Sequence, residues 1–326
     1  MNQATLNRAK RRTPCPICEA MSWCGIMDDE SVVICMRIAE GAVKETRNGG
    51  YLHILKDREF KPKQARKLPP KPASALATID RVHAVYEALL GLLSLSSPHA
   101  DDLEKRGLSD ASIACGLYAT YPQSLTAIFA ACELLAAQYG PLNGVPGFYL
   151  DYEKKWRIPP GSGGFLIPIR DVRGRIQACQ IRRDFSKPRY IWFSSKNYTQ
   201  GTSAPASMHY ARPWRIGSTG EAIITEGPLK ADIISERLDV GVIALPGVSS
   251  FQNDLGVRLK SLFPSLRSVA IAFDSDWHTK PEVERQMLRL ARVLNDAGFE
   301  WDVWDWSGAK GLDDLLTQEG GVYATN

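Results

Sequence analysis

Four cysteines crowd together near the amino terminus: Cys15, Cys18, Cys24 and Cys35, spaced C-x2-C-x5-C-x10-C within PCPICEAMSWCGIMDDESVVICMR. Four thiolates in so short a span suit one tetrahedral Zn²⁺, and the Cys-Pro-Ile-Cys turn brings two sulfurs to one metal. With every position taken by cysteine the site is structural, leaving no vacancy for a catalytic water. A second grouping lies in the last third of the chain, where Glu226, Asp274, Asp276, Asp313 and Asp314 follow short β-branched runs. Clustered carboxylates repel unless cations sit between them, and hard oxygen ligands favour Mg²⁺ or Mn²⁺. Ions so held neutralise phosphate oxygens and orient an attacking hydroxyl, the physical basis of phosphoryl transfer. The alternatives are solvated loop acids and, for Asp313 and Asp314, capping of a helix that begins at Leu315.

Acids so far apart in sequence need a scaffold that makes them neighbours. The strand candidates EAIITE (221–226), GVIAL (241–245), SVAIAF (268–273) and WDVWDW (301–306) alternate with helical PLKADIISERL (228–238), a mixed stretch at 249–263, and helical PEVERQMLRLARVLNDAG (281–298). Strands alternating with helices predict βαβ units and a mainly parallel sheet, whose carboxyl edge is where such folds place their sites. Around the cysteines, Val32, Val33 and Ile34 predict a strand returning Cys35 toward Cys24 across an Asp28-Asp29 turn, the closure of a zinc ribbon. A module of about 50 residues buries too little surface to fold unaided, so metal binding would supply the missing stability. Between these regions, 79–95, 99–116 and 125–138 are predicted helical, and FLIPIRDVRGRIQACQIRR (165–183) a hairpin turned at Arg173-Gly174. The Gly161–Gly164 run is predicted to be a turn, because no Gly-Lys-Ser/Thr follows and a strand comes next.

The chain has 326 residues, 44% of them hydrophobic, which excludes disorder as its main state and fits about two domains with a small appendage. No apolar run reaches membrane-spanning length, and the basic start leads into no signal-peptide core, so a cytoplasmic protein is expected. In a reducing compartment the scattered Cys115, Cys132 and Cys179 are expected to be small buried hydrophobes. Charge is divided unevenly. Residues 1–78 carry 14 basic against 8 acidic side chains, 79–215 carry 16 against 11, and 216–326 carry 10 against 17. A basic front and an acidic end suit nucleic acid across the first two segments and cations in the third. The stretch KDREFKPKQARKLPPK (56–71) predicts an extended basic linker. Arg8, Lys10, Arg11, Arg12 and Arg37 with Trp23, and the basic 156–215 segment with Tyr190, Trp192, Phe193 and Tyr198, pair cations with aromatic faces suited to single strands, although Trp192 and Phe193 suit a core equally well.

TEGPLKAD (225–232), LPGVSS (245–250), AFDSD (272–276) and KGLDDLL (310–316) resemble the successive motifs of the Toprim fold. LEKRGLSDASIACGLYATYP (103–122), GFLIPIRDVRGRIQACQIRRDFSKPRYIWFSS (164–195) and MHYARP (208–213) resemble, in order, the amino-terminal half of the bacterial replicative primase polymerase domain. The resemblance implies an α/β (overall α+β) chain: zinc ribbon 1–58, basic Pro-rich linker 59–78, mixed α+β basic subdomain 79–215, and Toprim domain 216–326. It implies a DNA primase that makes short primers from nucleoside triphosphates on single-stranded DNA. The TEGPLKAD form is closer to proteins of plasmids, phages and integrated elements. By the same resemblance Glu226 is an acid-base or metal-contacting residue, Asp274 and Asp276 are Mg²⁺ or Mn²⁺ ligands, and Asp313 is the acid of the final motif. Lys187 and Arg189, with Arg182 or Arg183 before them, would line the template or nucleotide groove, and Lys230 and Lys310 would contact nucleic acid or nucleotide. Three departures stand out: Gly311 where bacterial primases usually carry a further acid, Trp277 and His278 where small residues usually follow the DxD, and four cysteines in place of Cys-His-Cys-Cys. No Walker motor or helicase-docking domain is evident, so unwinding would fall to a separate helicase. A non-catalytic single-strand-binding or recombination-mediator protein, and a Toprim nuclease, are the other function classes the motifs allow.

Overall fold

The computed structural model describes residues 6–9, 13–27, 30–46, 49–55, 74–161 and 163–318, and divides the chain into two units, 1–68 and 69–326. In the first unit β1 (Leu6–Arg8), β2 (Gly25–Met27), β3 (Val32–Cys35), β4 (Lys44–Glu45) and β5 (Tyr51–Ile54) form an antiparallel sheet in the order β1-β2-β3-β5-β4. The predicted return strand is β3. It pairs Gly25 with Ile34 and Ile26 with Val33, which carries Cys35 back beside Cys24. The Asp28-Asp29 turn, the cations Lys10, Arg11 and Arg12, and the linker stretch 56–71 lie outside the described residues.

The second unit begins with α1 (Ile79–Leu92), α2 (Ser97–Lys105), α3 (Asp110–Gly116), β6 (Ala119–Thr120), α4 (Leu125–Tyr139) and a small hairpin, β7 (Tyr149–Leu150) with β8 (Trp156–Arg157). Ser109 and Ser124 start α3 and α4 by accepting the backbone N–H of Ser112 and Ala127, as serine does at helix starts. The predicted hairpin is β9 (Phe165–Arg170) and β10 (Ile176–Arg182), turned at 171–174, with β11 (Tyr190–Trp192) and β6 on its flanks. Side chains alternate across β9. Leu166 joins a core under α1 and α4 with Tyr86, Leu89, Ile128, Leu135 and Phe193. Phe165 and Ile167 join Leu103, Ile113 and Tyr118, and also Leu229 and Ile233 from the next sheet's helix.

The next sheet is built from β12 (His209–Ala211), β13 (Glu221–Glu226), β14 (Val242–Leu245), β15 (Ser268–Ile271) and β16 (Glu300–Val303), with α5 (Pro213–Thr219), α6 (Pro228–Leu238), α7 (Leu255–Leu262), α8 (Pro281–Asp296) and α9 (Leu312–Thr317). Its order is β12-β14-β13-β15-β16, parallel except for the antiparallel edge strand β12. The near-continuous apolar strands fit a sheet covered on both faces. Ile224, Ile243 and Ile271 meet Leu259 of α7 and Leu290 and Leu294 of α8 on one face. Ile223, Val242 and Ala244 meet Ala231 and Ile234 of α6 and Leu312 and Leu316 of α9 on the other.

Two expectations shift. β12, which precedes residue 216, and α5, which spans it, belong with the parallel sheet, and the shared core of Phe165, Ile167, Leu229 and Ile233 runs across the expected boundary. The fourth strand is Glu300–Val303, ending before Trp304 and Trp306, which pack half-buried against the core beside α9. Cys132 and Cys179 are buried as expected, whereas Cys115 is exposed at the end of α3.

Candidate functional site

In the first unit the four cysteine sulfurs all lie within 4.8 Å of one another, with Cys15, Cys24 and Cys35 buried. Two backbone amides point at sulfur, Met36 N–H at Cys24 Sγ and Ile38 N–H at Cys35 Sγ, each at 3.4 Å. Such bonds stabilise thiolate rather than thiol. Burial opposes ionisation of Cys18, yet the Ala20 amide and the neighbouring sulfurs bring its pKa down to about 6, while burial pushes Cys24 up to about 12. A divalent ion would remove that conflict, so the donor set fits Zn²⁺. The guanidinium of Arg37 approaches Cys18 and Cys24 at 3.8 Å, and the Trp23 side chain is 71% exposed.

In the second unit Glu226 ends β13, and Gly227 follows at φ 84°, a left-handed conformation that glycine adopts without strain. That turn lets Pro228 open α6 at once and places Lys230 in its first turn, above the Glu226 carboxylate. Asp274 follows β15 and Asp276 sits in the short 3-10 turn Ser275–Thr279. Ser275 ties this turn to the 309–310 loop by its N–H to the Lys310 carbonyl and its hydroxyl to the Ala309 carbonyl, both 2.8 Å. Thr225 hydroxyl donates to the Ala272 carbonyl at 2.8 Å, locking the ends of β13 and β15 together. The expected rim therefore forms at the carboxyl edge of the sheet.

Its interior holds lysine. Lys230 Nζ bonds Asp274 Oδ1 and lies 3.5 Å from Glu226 Oε1, and Lys310 Nζ is 2.6 Å from Asp274 Oδ2. Asp276 instead faces Lys280 at 2.5 Å. Among the described residues the cysteines are the one group whose ligand atoms gather within 4.8 Å, so the acids share a rim without closing to that spacing. Burial pushes the Glu226 carboxyl up, Asp274 adds to the shift, and Lys230 opposes it. For Asp274 burial is outweighed by Lys230 and Lys310, which hold it below its ordinary value. Burial raises Asp313, against the pull of Lys230. Glu226 Oε2 and Asp313 Oδ1 are buried without hydrogen-bond partners, oxygens that a cation would satisfy, so these residues fit a divalent ion.

α9 starts at Leu312 with Gly311 as its N-cap, not at Leu315. Asp314 takes the capping role by accepting the Gly311 N–H at 3.3 Å, and Asp313 is left facing inward, 5% exposed. A Cβ at Gly311 would stand 2.2 Å from Asp313 Oδ1, so glycine there is what admits the inward carboxylate. Trp277 stacks on His278 at 3.5 Å and packs into the core under α8, while His278 reaches Asp305 at 2.9 Å.

The basic residues at the end of β10 and in the loop after it divide. Arg182 faces inward, 4% exposed, with Nη1 3.0 Å from Asp102 and its guanidinium over Phe165. Its charge is neutralised inside, against the expectation that it lines a template or nucleotide groove. Arg183 donates to the Pro188 carbonyl and Arg189 to the Asp184 carbonyl, and Lys187 and Arg189 are exposed. Phe193 is core, edge-on to Tyr121 and Phe148, and Tyr198 stacks on Tyr149. Tyr190 remains exposed in β11, and so does Phe185 at the tip of the loop, 95% exposed, which the aromatic pattern of the sequence does not single out.

Three polar links that periodicity could not reveal join the sheets. His209 Nδ1 accepts the Arg170 N–H at 3.0 Å, so its Nε2 carries the hydrogen it donates to Asp232 at 2.9 Å. Tyr118 hydroxyl donates to the other oxygen of Asp232 at 2.5 Å. Ser109 and Ser112 donate to Glu236, whose carboxyl they and Arg212 hold low against the effect of burial.

This architecture is a primase-like fold. The zinc-binding and RNA polymerase domains of Aquifex aeolicus primase superpose with a TM-score of 0.57 at 18% identity, over 75% of this chain and 60% of that one. The chain thus spans less than two thirds of the Aquifex protein. The RNA polymerase domain of Mycobacterium tuberculosis primase DnaG gives 0.58 at 15% identity, over 75% of this chain and 81% of that one. A DnaG catalytic domain bound to single-stranded DNA gives 0.52 at 17% identity, over 74% and 78%. A family model described as a domain of unknown function, DUF3854, matches residues 219–323. No curated protein sequence matches the chain.

Proposed function

We propose that the chain is a Toprim-type DNA primase with a zinc ribbon, which copies single-stranded DNA into short primers. The observation that carries this reading is the meeting of Glu226, Asp274 and Asp313 around Lys230 at the carboxyl edge of a parallel sheet within a primase-like fold. Bound Mg²⁺ or Mn²⁺ would neutralise triphosphate oxygens and favour attack of a 3′-hydroxyl on the α-phosphate, the α–β anhydride bond breaking with release of pyrophosphate. Glu226, Asp274 and Asp276 are the residues that would hold it. Asp313 adds inward negative charge, and Ser275 fixes the geometry by tying the DxD turn to the final motif. Lys187 and Arg189, exposed on the loop after β10, would grip phosphates of template or nucleotide, with Arg183 behind them, and Lys310, more exposed than Lys230, would meet the triphosphate. The cysteine module would carry one structural Zn²⁺ and help choose where synthesis starts. We place the protein in the cytoplasm, in the replication of a plasmid, phage or integrated element, with a separate helicase.

A second reading has an observation of its own. Lysines already neutralise the acids, as a scaffold that only binds single strands would allow. Primer synthesis on a single-stranded template with Mg²⁺ or Mn²⁺, compared with Asp274→Asn, separates the two. Primers from wild type alone support the primase. Binding without product sinks it in favour of the scaffold, and template shortening in favour of a nuclease.

A further inference from the structure

The acidic rim carries cations of its own. Its four carboxylates, Glu226, Asp274, Asp276 and Asp313, face three ammonium groups: Lys230 between Glu226 and Asp274, Lys310 on the second oxygen of Asp274, and Lys280 on Asp276. Four unpaired carboxylates would need two divalent ions to reach neutrality, the arrangement of two-metal phosphoryl-transfer sites. Three lysines leave a single net negative charge, with Glu226 Oε2 and the 5% exposed Asp313 as the buried oxygens that still lack partners.

The lysines are not equivalent. Lys310 and Lys280 reach in from exposed loops, with 62% and 49% of their side chains in solvent. Lys230 is 26% exposed and belongs to the first turn of α6, where its neighbours Leu229 and Ala231 are anchored at 3% and 0% exposure. Its position is set by Gly227 and Pro228, so the backbone cannot retreat from the rim without unpacking the helix. A charge held on such a tether cannot diffuse away, unlike a dissolved ion. Both carboxylates it faces are among the residues that would hold a divalent ion, and like charges a few ångströms apart in a half-buried site exclude each other strongly.

We propose that Lys230 is a built-in cation that takes the place of one divalent ion, so that the rim binds one Mg²⁺ or Mn²⁺ rather than two. The inference rests on the reading of the rim as a metal-dependent site and adds its stoichiometry and the residue that sets it. Lys230 thereby acts as a positioning residue, fixing the Glu226 and Asp274 carboxylates for the single ion.

The test counts bound Mn²⁺ on the zinc-loaded full chain, by electron paramagnetic resonance of free Mn²⁺ and by calorimetry. Wild type should bind one ion at the rim, and Lys230→Met should bind two, with the first tightened about tenfold or more. Lys310→Met, which removes the mostly solvated charge, should stay at one. Should Lys230→Met lose its near-ultraviolet dichroism, Lys230→Gln removes the same charge with a polar side chain. Two tight ions in wild type, or one ion at unchanged affinity in both folded Lys230 variants, overturns the inference. If wild type binds two ions and still makes primers, the stoichiometry falls and the primase reading stands. If neither wild type nor variants bind Mn²⁺, both fall.

Discussion

Replacing Asp274 by asparagine should destabilise the metal-free protein, and the sign of that effect tests how the rim is held together. Asp274 is 9% exposed and accepts from two ammonium groups, Lys230 and Lys310. A charge-assisted hydrogen bond contributes about 1.5–3 kcal/mol, and removing one partner of a fully buried pair costs about 3–5 kcal/mol. Lys310 is mostly solvated, asparagine can still accept a hydrogen bond, and Glu226 remains near Lys230, so these figures must be discounted. The expected loss is about 1–3 kcal/mol, which for a unit of this size lowers the melting temperature by roughly 2–10 °C. The assay is calorimetric melting of zinc-loaded protein in buffer without Mg²⁺ or Mn²⁺, with Lys230→Met and the double variant completing a cycle. A coupling of about 1 kcal/mol or more should appear between the two positions. Had carboxylate repulsion been dominant, removing a negative charge would relieve it. A melting temperature that rises in Asp274→Asn, or a cycle with no coupling, refutes the account of lysines as the internal counter-charge.

Phe193→Ala should cost about 3–5 kcal/mol in chemical denaturation, because the ring is buried among Tyr86, Tyr121 and Phe148, and single-strand affinity per folded molecule should not change. Removing zinc with a strong chelator, or Cys24→Ser, should abolish amide-exchange protection in β2 and β3 while leaving β13 to β15 protected, with one zinc released per chain in a colorimetric assay. Stability of the metal-free protein should rise as pH falls from neutral toward the ordinary glutamate value of 4.5, since Glu226 has a raised pKa and binds its proton more tightly folded than unfolded. Below about 3.8 the trend should reverse, because Asp274 is held low and its contribution is lost as it protonates. Urea denaturation across pH should show the acid-side gain in wild type and a smaller one in Glu226→Gln.

Much of the scaffold is legible in the residue pattern because parallel strands buried on both faces leave unbroken apolar runs. EAIITE and PLKADIISERL coincide with β13 and α6 at both ends. WDVWDW is rich enough in apolar and aromatic residues to suit a strand throughout, but that composition cannot tell a strand from tryptophans that pack against the core after the strand has ended. The convergence of Glu226, Asp274 and Asp313 follows from strand order, whereas the lysines between them do not, because a Glu226-to-Lys230 spacing also describes an ordinary surface ion pair. Arg182 shows the opposite limit. The motif resemblance groups it with Arg183, yet it ends a strand that is buried on both faces and so turns inward onto Asp102, a partner 80 residues away. The Asp232 and Glu236 links were hidden because each needs partners from segments more than 20 residues distant.

Asp232 has a mechanical consequence. By joining Tyr118 of the antiparallel half to His209 of the parallel half, over apolar side chains shared by both, it pins the two sheets to each other through one carboxylate. The distance between the loop after β10 and the acids at the strand ends therefore leans on a carboxylate that belongs to neither, so Asp232→Asn should loosen their register without touching either one.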